Sequence, residues 1–180
     1  MDRDAMQKLV AWKDARKRKP LLVQGARQVG KTWLIREFGR RHFENTAYVS
    51  FADNEDLARV FEGSLRPQRL LDAVSIEAGT PIDPVTTLVV FDEIQACPRA
   101  IESLKAFNEQ LPELALIGAG PLLGLALHRG TSFPVGKVYW LNMYPMTYGE
   151  FLRATGNESL VSLLASQDFS LIDSFRERYI

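Results

Sequence analysis

The amino-acid sequence predicts an α/β fold in which a parallel β-sheet carries helices on both faces. Three observations carry that prediction. Apolar runs of strand length alternate with helix-spaced stretches along most of the 180 residues, as βαβ units require. A glycine-bounded segment, Gly25-Ala26-Arg27-Gln28-Val29-Gly30-Lys31-Thr32, stands between the run Leu21-Leu22-Val23 and the helix-spaced set Leu34, Ile35 and Phe38. A denser run, Thr87-Leu88-Val89-Val90-Phe91, ends in the acid pair Asp92-Glu93.

The elements follow in order. Residues 4–17 are expected to form a helix with Met6, Leu9, Val10 and Trp12 on one side. Pro20 ends it, because the residue before a proline is pushed toward extended backbone. The helix after the glycine loop is expected to close at Gly39 as its C-cap. Residues 46–51 read as a second strand, with Ala47, Val49 and Phe51 alternating. Asn54 caps a short helix carrying Leu57, Val60 and Phe61, with Glu55 and Asp56 in its first turn. Helices over Pro67–Ala78 and from Pro98 to about Gln110 each open on a proline, whose missing N–H is no loss there.

Residues 114–117 are the fourth strand, and Gly118-Ala119-Gly120-Pro121 reads as a loop. A short helix at 122–127 and a fifth strand at 137–143 follow. Thr147 caps a helix containing Glu150, Phe151 and Leu152, which Gly156 breaks. The expected organisation is an N-terminal helix at 1–19, a core at 20–155 and a helical region at 156–180. Leu160, Leu163, Leu164, Leu171, Ile172 and Phe175 mark that last region, which reads as the start of a domain cut short.

Ligands of such sheets gather at the carboxyl ends of the strands. That edge collects the loop after strand one, the Asp92-Glu93 pair and residues 118–121. The first of these fits G-x-x-x-x-G-K-[ST], the phosphate-binding loop. Gly25 and Gly30 admit backbone angles and close approach that a Cβ would block. The N–H groups from Gly25 through Ala26, Arg27, Gln28 and Val29 to Gly30 then turn toward phosphate oxygens. The following helix adds its positive end.

Lys31 is expected to reach the β- and γ-phosphates of ATP, and the Thr32 hydroxyl to ligate Mg²⁺. Asp92 is expected to hold the same Mg²⁺, directly or through water. Glu93 stands where a carboxylate can orient and polarise an attacking water. Arg129 and Lys137 are candidate charge clamps, in their own subunit or a neighbour's, with solvated surface cations as the plain alternative. The Arg27 side chain is expected to point outward. His42 and His128 lack the spacing of a metal cage, and Cys97 reads as a packed small residue.

Bulk properties exclude several classes. A formal net charge of zero argues against a protein that is basic throughout and binds nucleic acid by its overall charge. Lys13, Arg16, Lys17, Arg18 and Lys19 form a local exception, read as a solvated helix end with a phosphate- or DNA-facing patch as the alternative. A single cysteine rules out disulfides within the chain. No leader-like apolar core opens the sequence, and no apolar run nears the ~20 residues that span a bilayer. A cytoplasmic protein without a membrane partner is expected.

Several separated motifs, agreeing in order over about residues 15–155, resemble a prokaryotic AAA+-like P-loop ATPase family. They are Lys19-Pro20-Leu21-Leu22 with the glycine loop, Phe91-Asp92-Glu93-Ile94-Gln95, Leu122-Leu123-Gly124 to Ala126-Leu127-His128, 132–138, Tyr144-Pro145-Met146 and Glu150-Phe151-Leu152. Members carry an N-terminal AAA domain followed by a C-terminal DUF4143 domain. The resemblance implies a three-layer P-loop NTPase core of five parallel strands, with strand four between strands one and three. It implies ATP with Mg²⁺ as ligands, and a C-terminal domain far larger than residues 157–180.

One departure stands out. The family usually has serine after Ala-Gly on strand four, a polar sensor near the γ-phosphate, and here Pro121 takes its place. Proline has no N–H to donate and no hydroxyl. Two functions are therefore expected to compete. One is an ATPase coupled to its own C-terminal domain or another partner, a homo-oligomer included. The other is a nucleotide-controlled module with little turnover that docks protein or DNA.

Overall fold

The computed structural model describes residues 3–121, 134, 136–167 and 169–174. Five strands make one sheet: β1 (Leu21–Gln24), β2 (Asn45–Ser50), β3 (Thr87–Asp92), β4 (Ala115–Gly120) and β5 (Tyr139–Asn142). Their order is β2-β3-β4-β1-β5, and every neighbouring pair is parallel. β4 lies between β1 and β3, as the resemblance implies.

Alternation along the buried strands divides the core into two layers. Leu22, Val89, Phe91 and Leu116 face one side with α3 (Glu55–Glu62), α4 (Pro67–Ala78) and α5 (Pro98–Gln110). Leu21, Val23, Leu88, Val90, Ala115 and Ile117 face the other with α1 (Asp4–Lys13) and α2 (Lys31–His42). A sheet covered on both faces needs near-continuous apolar strands, and β3 and β4 meet that need with almost no exposed residue. The result is the three-layer fold of a P-loop NTPase.

Local chemistry set most boundaries as expected. The Asn54 side chain accepts from Leu57 N at 3.0 Å and caps α3. Pro67 and Pro98 open α4 and α5. Three boundaries differ by three residues or more. The first helix ends at Lys13 rather than 17. α2 runs past Gly39 to His42, and Gly39 sits where a Cβ would stand 2.3 Å from Thr46 Oγ1. β4 continues through Gly118 and Gly120, the stretch expected to be a loop. A Cβ on Gly118 would meet Leu22 Cδ2 at 2.8 Å and Ile94 Cδ1 at 3.0 Å. Glycine there serves packing, not a turn. The short helix expected at 122–127 lies outside the described residues.

The chain divides into two compact units, residues 5–145 and residues 1–4 with 146–180. Within the second unit are α6 (Tyr148–Ala154), α7 (Glu158–Ser166) and α8 (Phe169–Ser174). Thr147 and Glu150 form a reciprocal capping box at the start of α6. Glu150 is buried, and its Oε1 accepts from Arg3 Nε at 3.0 Å and Asp4 N at 2.9 Å. Burial pushes this carboxyl up, but donors at Thr147, Asp4 and Arg3 outweigh it and hold the group below the ordinary glutamate value.

Candidate functional site

Parallel register brings the carboxyl ends of the strands to one edge. Gln24 pairs with Gly120 on one side and Asn142 on the other, and Phe91 pairs with Gly118. The turn 25–30 leaves β1 at that edge and enters α2 at Lys31. Gln28 (φ 66°) and Gly30 (φ 89°) adopt left-handed backbone, which folds the turn back over the helix end. No side chain caps α2, so its first N–H groups remain directed at the turn.

Gly25 has a different reason to be glycine. A Cβ there would lie 2.3 Å from the Met143 carbonyl oxygen, and Met143 N in turn donates to Gln24 O at 2.7 Å. The neighbouring strand's continuation leaves no room for a side chain.

Lys31 is only 8% exposed. Its Nζ donates to Gly25 O at 2.7 Å and Ala26 O at 2.8 Å, laying the side chain along the turn. Burial lowers its pKa, and the carboxylates of Glu93 and Asp92 pull it back up. The lysine and the acid pair therefore share one electrostatic environment. Arg27 is exposed, as expected.

Asp92 ends β3 with both oxygens engaged. Oδ1 accepts from Glu93 N at 3.0 Å, and Oδ2 accepts from the Tyr48 hydroxyl in a short contact. Burial first, and Asp92 with it, push the Tyr48 phenol pKa up to about 12. Arg36 lies one helical turn beyond Thr32 and places its guanidinium 4.5 Å from the Tyr48 ring centre. Glu93 holds left-handed backbone (φ 48°), and its carboxylate accepts from the Gln95 amide. Gln95 Oε1 is buried with no hydrogen-bond partner among the described residues.

Tyr48 and Arg36 were not expected here. The alternation that turned Ala47, Val49 and Phe51 to one face of β2 puts Tyr48 on the other. That is the α2 face, and the signal was present.

The two candidate clamps fare differently. Arg129 lies outside the described residues. Lys137 precedes β5 at the amino edge of the sheet, where Tyr139 N donates to Pro20 O, and its Nζ pairs with Glu109 at 3.0 Å. The length of a strand separates it from the turn, so within this chain it does not reach the site. Pro121 follows Gly120 at the carboxyl edge, beside Gln24.

The basic cluster near Pro20 is largely occupied. Arg18 lies over Trp12 and donates to Lys13 O, and Lys19 donates to Gly136 O at 2.7 Å while lying over Tyr139. Cys97 is buried in the α5 layer, and burial raises its thiol pKa. Among the described residues, no group of three or more His, Cys, Asp or Glu is placed to hold a metal, and no helix is long and apolar enough to cross a membrane.

A cleft of about 350 Å³ adjoins the turn, lined by Gln24, Gly25, Ala26, Asn142, Met143, Tyr144 and Pro145. The Gln24 amide donates to Asn142 Oδ1 at 2.7 Å on its floor. A larger hollow of about 500 Å³, lined in part by Lys13, Arg41 and Thr86, opens at the amino ends of β2 and β3 and holds none of these groups.

A turn of this sequence and shape, at the carboxyl edge of a sheet ordered β2-β3-β4-β1-β5, places the protein among the P-loop NTPase folds. Within that class the chain belongs to an AAA-domain family, AAA_14, whose profile matches residues 17–152. No curated protein matches the chain. Among solved structures it is similar to the Aeropyrum pernix ORC1 protein in complex with DNA, at 19% identity and a TM-score of 0.49. That match covers 86% of this chain and 47% of the other, so this chain spans about half the length of that one.

Proposed function

We propose that residues 20–155 form a Mg²⁺-dependent ATPase core whose turnover acts on a C-terminal DUF4143-type domain or on another partner. The observation that carries the reading is the convergence of a buried lysine, a threonine hydroxyl and an acid pair on one sheet edge. The backbone amides of residues 25–30 bind the phosphates, with Lys31 Nζ exchanging its carbonyl partners for the β- and γ-oxygens.

Thr32 and Asp92 are hard oxygen donors of the kind Mg²⁺ takes, and two such side chains suit a cation that completes its shell with phosphate and water. Mg²⁺ held by Thr32 and Asp92 would supply charge neutralisation to the phosphates. Glu93 orients a water and accepts its proton, held in place by the Gln95 amide. The cleft beside Gly25 takes the base against Tyr144 and Pro145. A charge clamp then comes from Arg129 or from a neighbouring subunit of a homo-oligomer, since Lys137 sits at the far edge.

The test is Glu93→Gln. ATP affinity is expected to persist while turnover falls by about 10²–10⁴-fold, the range of a lost general base. Unchanged turnover removes Glu93 from that role.

Pro121 favours a second reading, a nucleotide-controlled docking module with little turnover, for protein or, on weaker grounds, DNA. It stands at the sensor place with no donor to offer the γ-phosphate. Turnover by the parent chain that Lys31→Ala abolishes would count against this second reading.

A further inference from the structure

We propose that Tyr48 is a positioning residue for the Mg²⁺-holding edge, its hydroxyl donating to Asp92 Oδ2. The proposal rests on the assignment of Thr32 and Asp92 to the metal made above.

Sheet geometry puts the ring there. Tyr48 is in register with Val90, so on the shared face it lies diagonal to Asp92, two residues further on. Diagonal neighbours on adjacent strands are within reach of an aromatic side chain. The ring is half-buried against the α2-side core, and the Arg36 guanidinium covers its face. Its position is thus fixed by packing, independently of the hydroxyl.

The hydroxyl fixes the carboxylate. The phenol sends its proton to Asp92 Oδ2, while Glu93 N donates to Oδ1. The carboxylate is pinned from both sides, and each oxygen keeps a lone pair. Outer donors of this kind orient metal ligands, and losing one typically costs 10–100-fold in metal affinity. Nothing in a phosphate-binding-loop pattern assigns this part to a residue on β2.

Tyr48→Phe keeps the ring and its Arg36 contact and removes only the hydroxyl. ADP serves as the probe, so that turnover plays no part. Its dissociation constant is measured by calorimetry in Mg²⁺ and again in EDTA, alongside the urea unfolding midpoint. The variant is expected to lose about 10–100-fold of the Mg²⁺-dependent gain in affinity, with its EDTA affinity and unfolding midpoint matching the parent. An undiminished gain overturns the proposal. An equal loss in both buffers marks a merely structural tyrosine and also overturns it. A parent chain whose ADP affinity ignores Mg²⁺ overturns the metal assignment itself, and the role of Tyr48 with it.

Discussion

Gly25→Ala separates two reasons for a glycine that a motif alone merges. The added Cβ would stand 2.3 Å from Met143 O and 3.1 Å from Met143 C and Cβ. Relief to an ordinary contact near 3.4 Å requires a shift of about 1 Å. The obstructing atoms are largely backbone and cannot swing aside as a flexible side chain would. They are also anchored, because Met143 N donates to Gln24 O at 2.7 Å.

Forcing a methyl into a filled site costs about 1–3 kcal/mol, and weakening the anchoring hydrogen bond adds about 1 kcal/mol. The expected destabilisation is therefore about 2–4 kcal/mol in urea unfolding without nucleotide. Gly79→Ala is the control, since Gly79 has φ 60° and nothing within 4 Å of a Cβ. Its cost should be the left-handed backbone alone, about 1–2 kcal/mol. If Gly25→Ala leaves the nucleotide-free stability within about 0.5 kcal/mol of the parent, well inside what overpacking costs, the packing argument is wrong. Phosphate approach would then be the whole reason for the glycine.

Two further predictions follow from side chains placed away from the turn. Lys137→Ala breaks only an exposed pair with Glu109 at the amino edge, so nucleotide affinity should be unchanged and stability should move by less than about 1 kcal/mol. A tenfold loss of affinity in calorimetry would restore Lys137 to the site. Glu150→Gln removes the charge from a buried carboxylate that accepts from Arg3, Asp4 and Thr147. Because the native pKa is lowered, its stabilisation is complete above an ordinary glutamate value of about 4.3 and fades as pH falls through the native value. The parent should lose stability over that acid window, and Glu150→Gln should lose less over it, as followed by circular dichroism.

Much of the candidate site's turn was legible because its determinants are local. The turn needs a glycine at φ 89° and a lysine opening the helix, and both lie within eight consecutive residues. The acid pair was legible because a strand buried on both faces must read as an unbroken apolar run, and the first polar residues after it mark the strand's end. What failed to show was whatever another strand decides. Gly118 and Gly120 looked like a loop, because the side chains of Leu22 and Ile94 that crowd Gly118 come from elsewhere in the chain.

Gly39 looked like a helix cap for the same reason, until Thr46 took the space beside it. The place of Lys137 was hidden too, because sequence distance does not say which edge of the sheet a residue occupies. Alternation within β2 gave Tyr48 its face, but its place diagonal to Asp92 needed the register of β2 on β3.

The central claim is that the turn 25–32 binds a nucleoside triphosphate through Lys31 and its backbone. Titration calorimetry of the folded chain with ATP in magnesium buffer, beside Lys31→Ala, tests it most directly. One saturable site in the parent, lost or weakened at least tenfold in Lys31→Ala while the unfolding midpoint holds, is the result predicted. No heat of binding in the parent, or equal binding by both proteins, would contradict it.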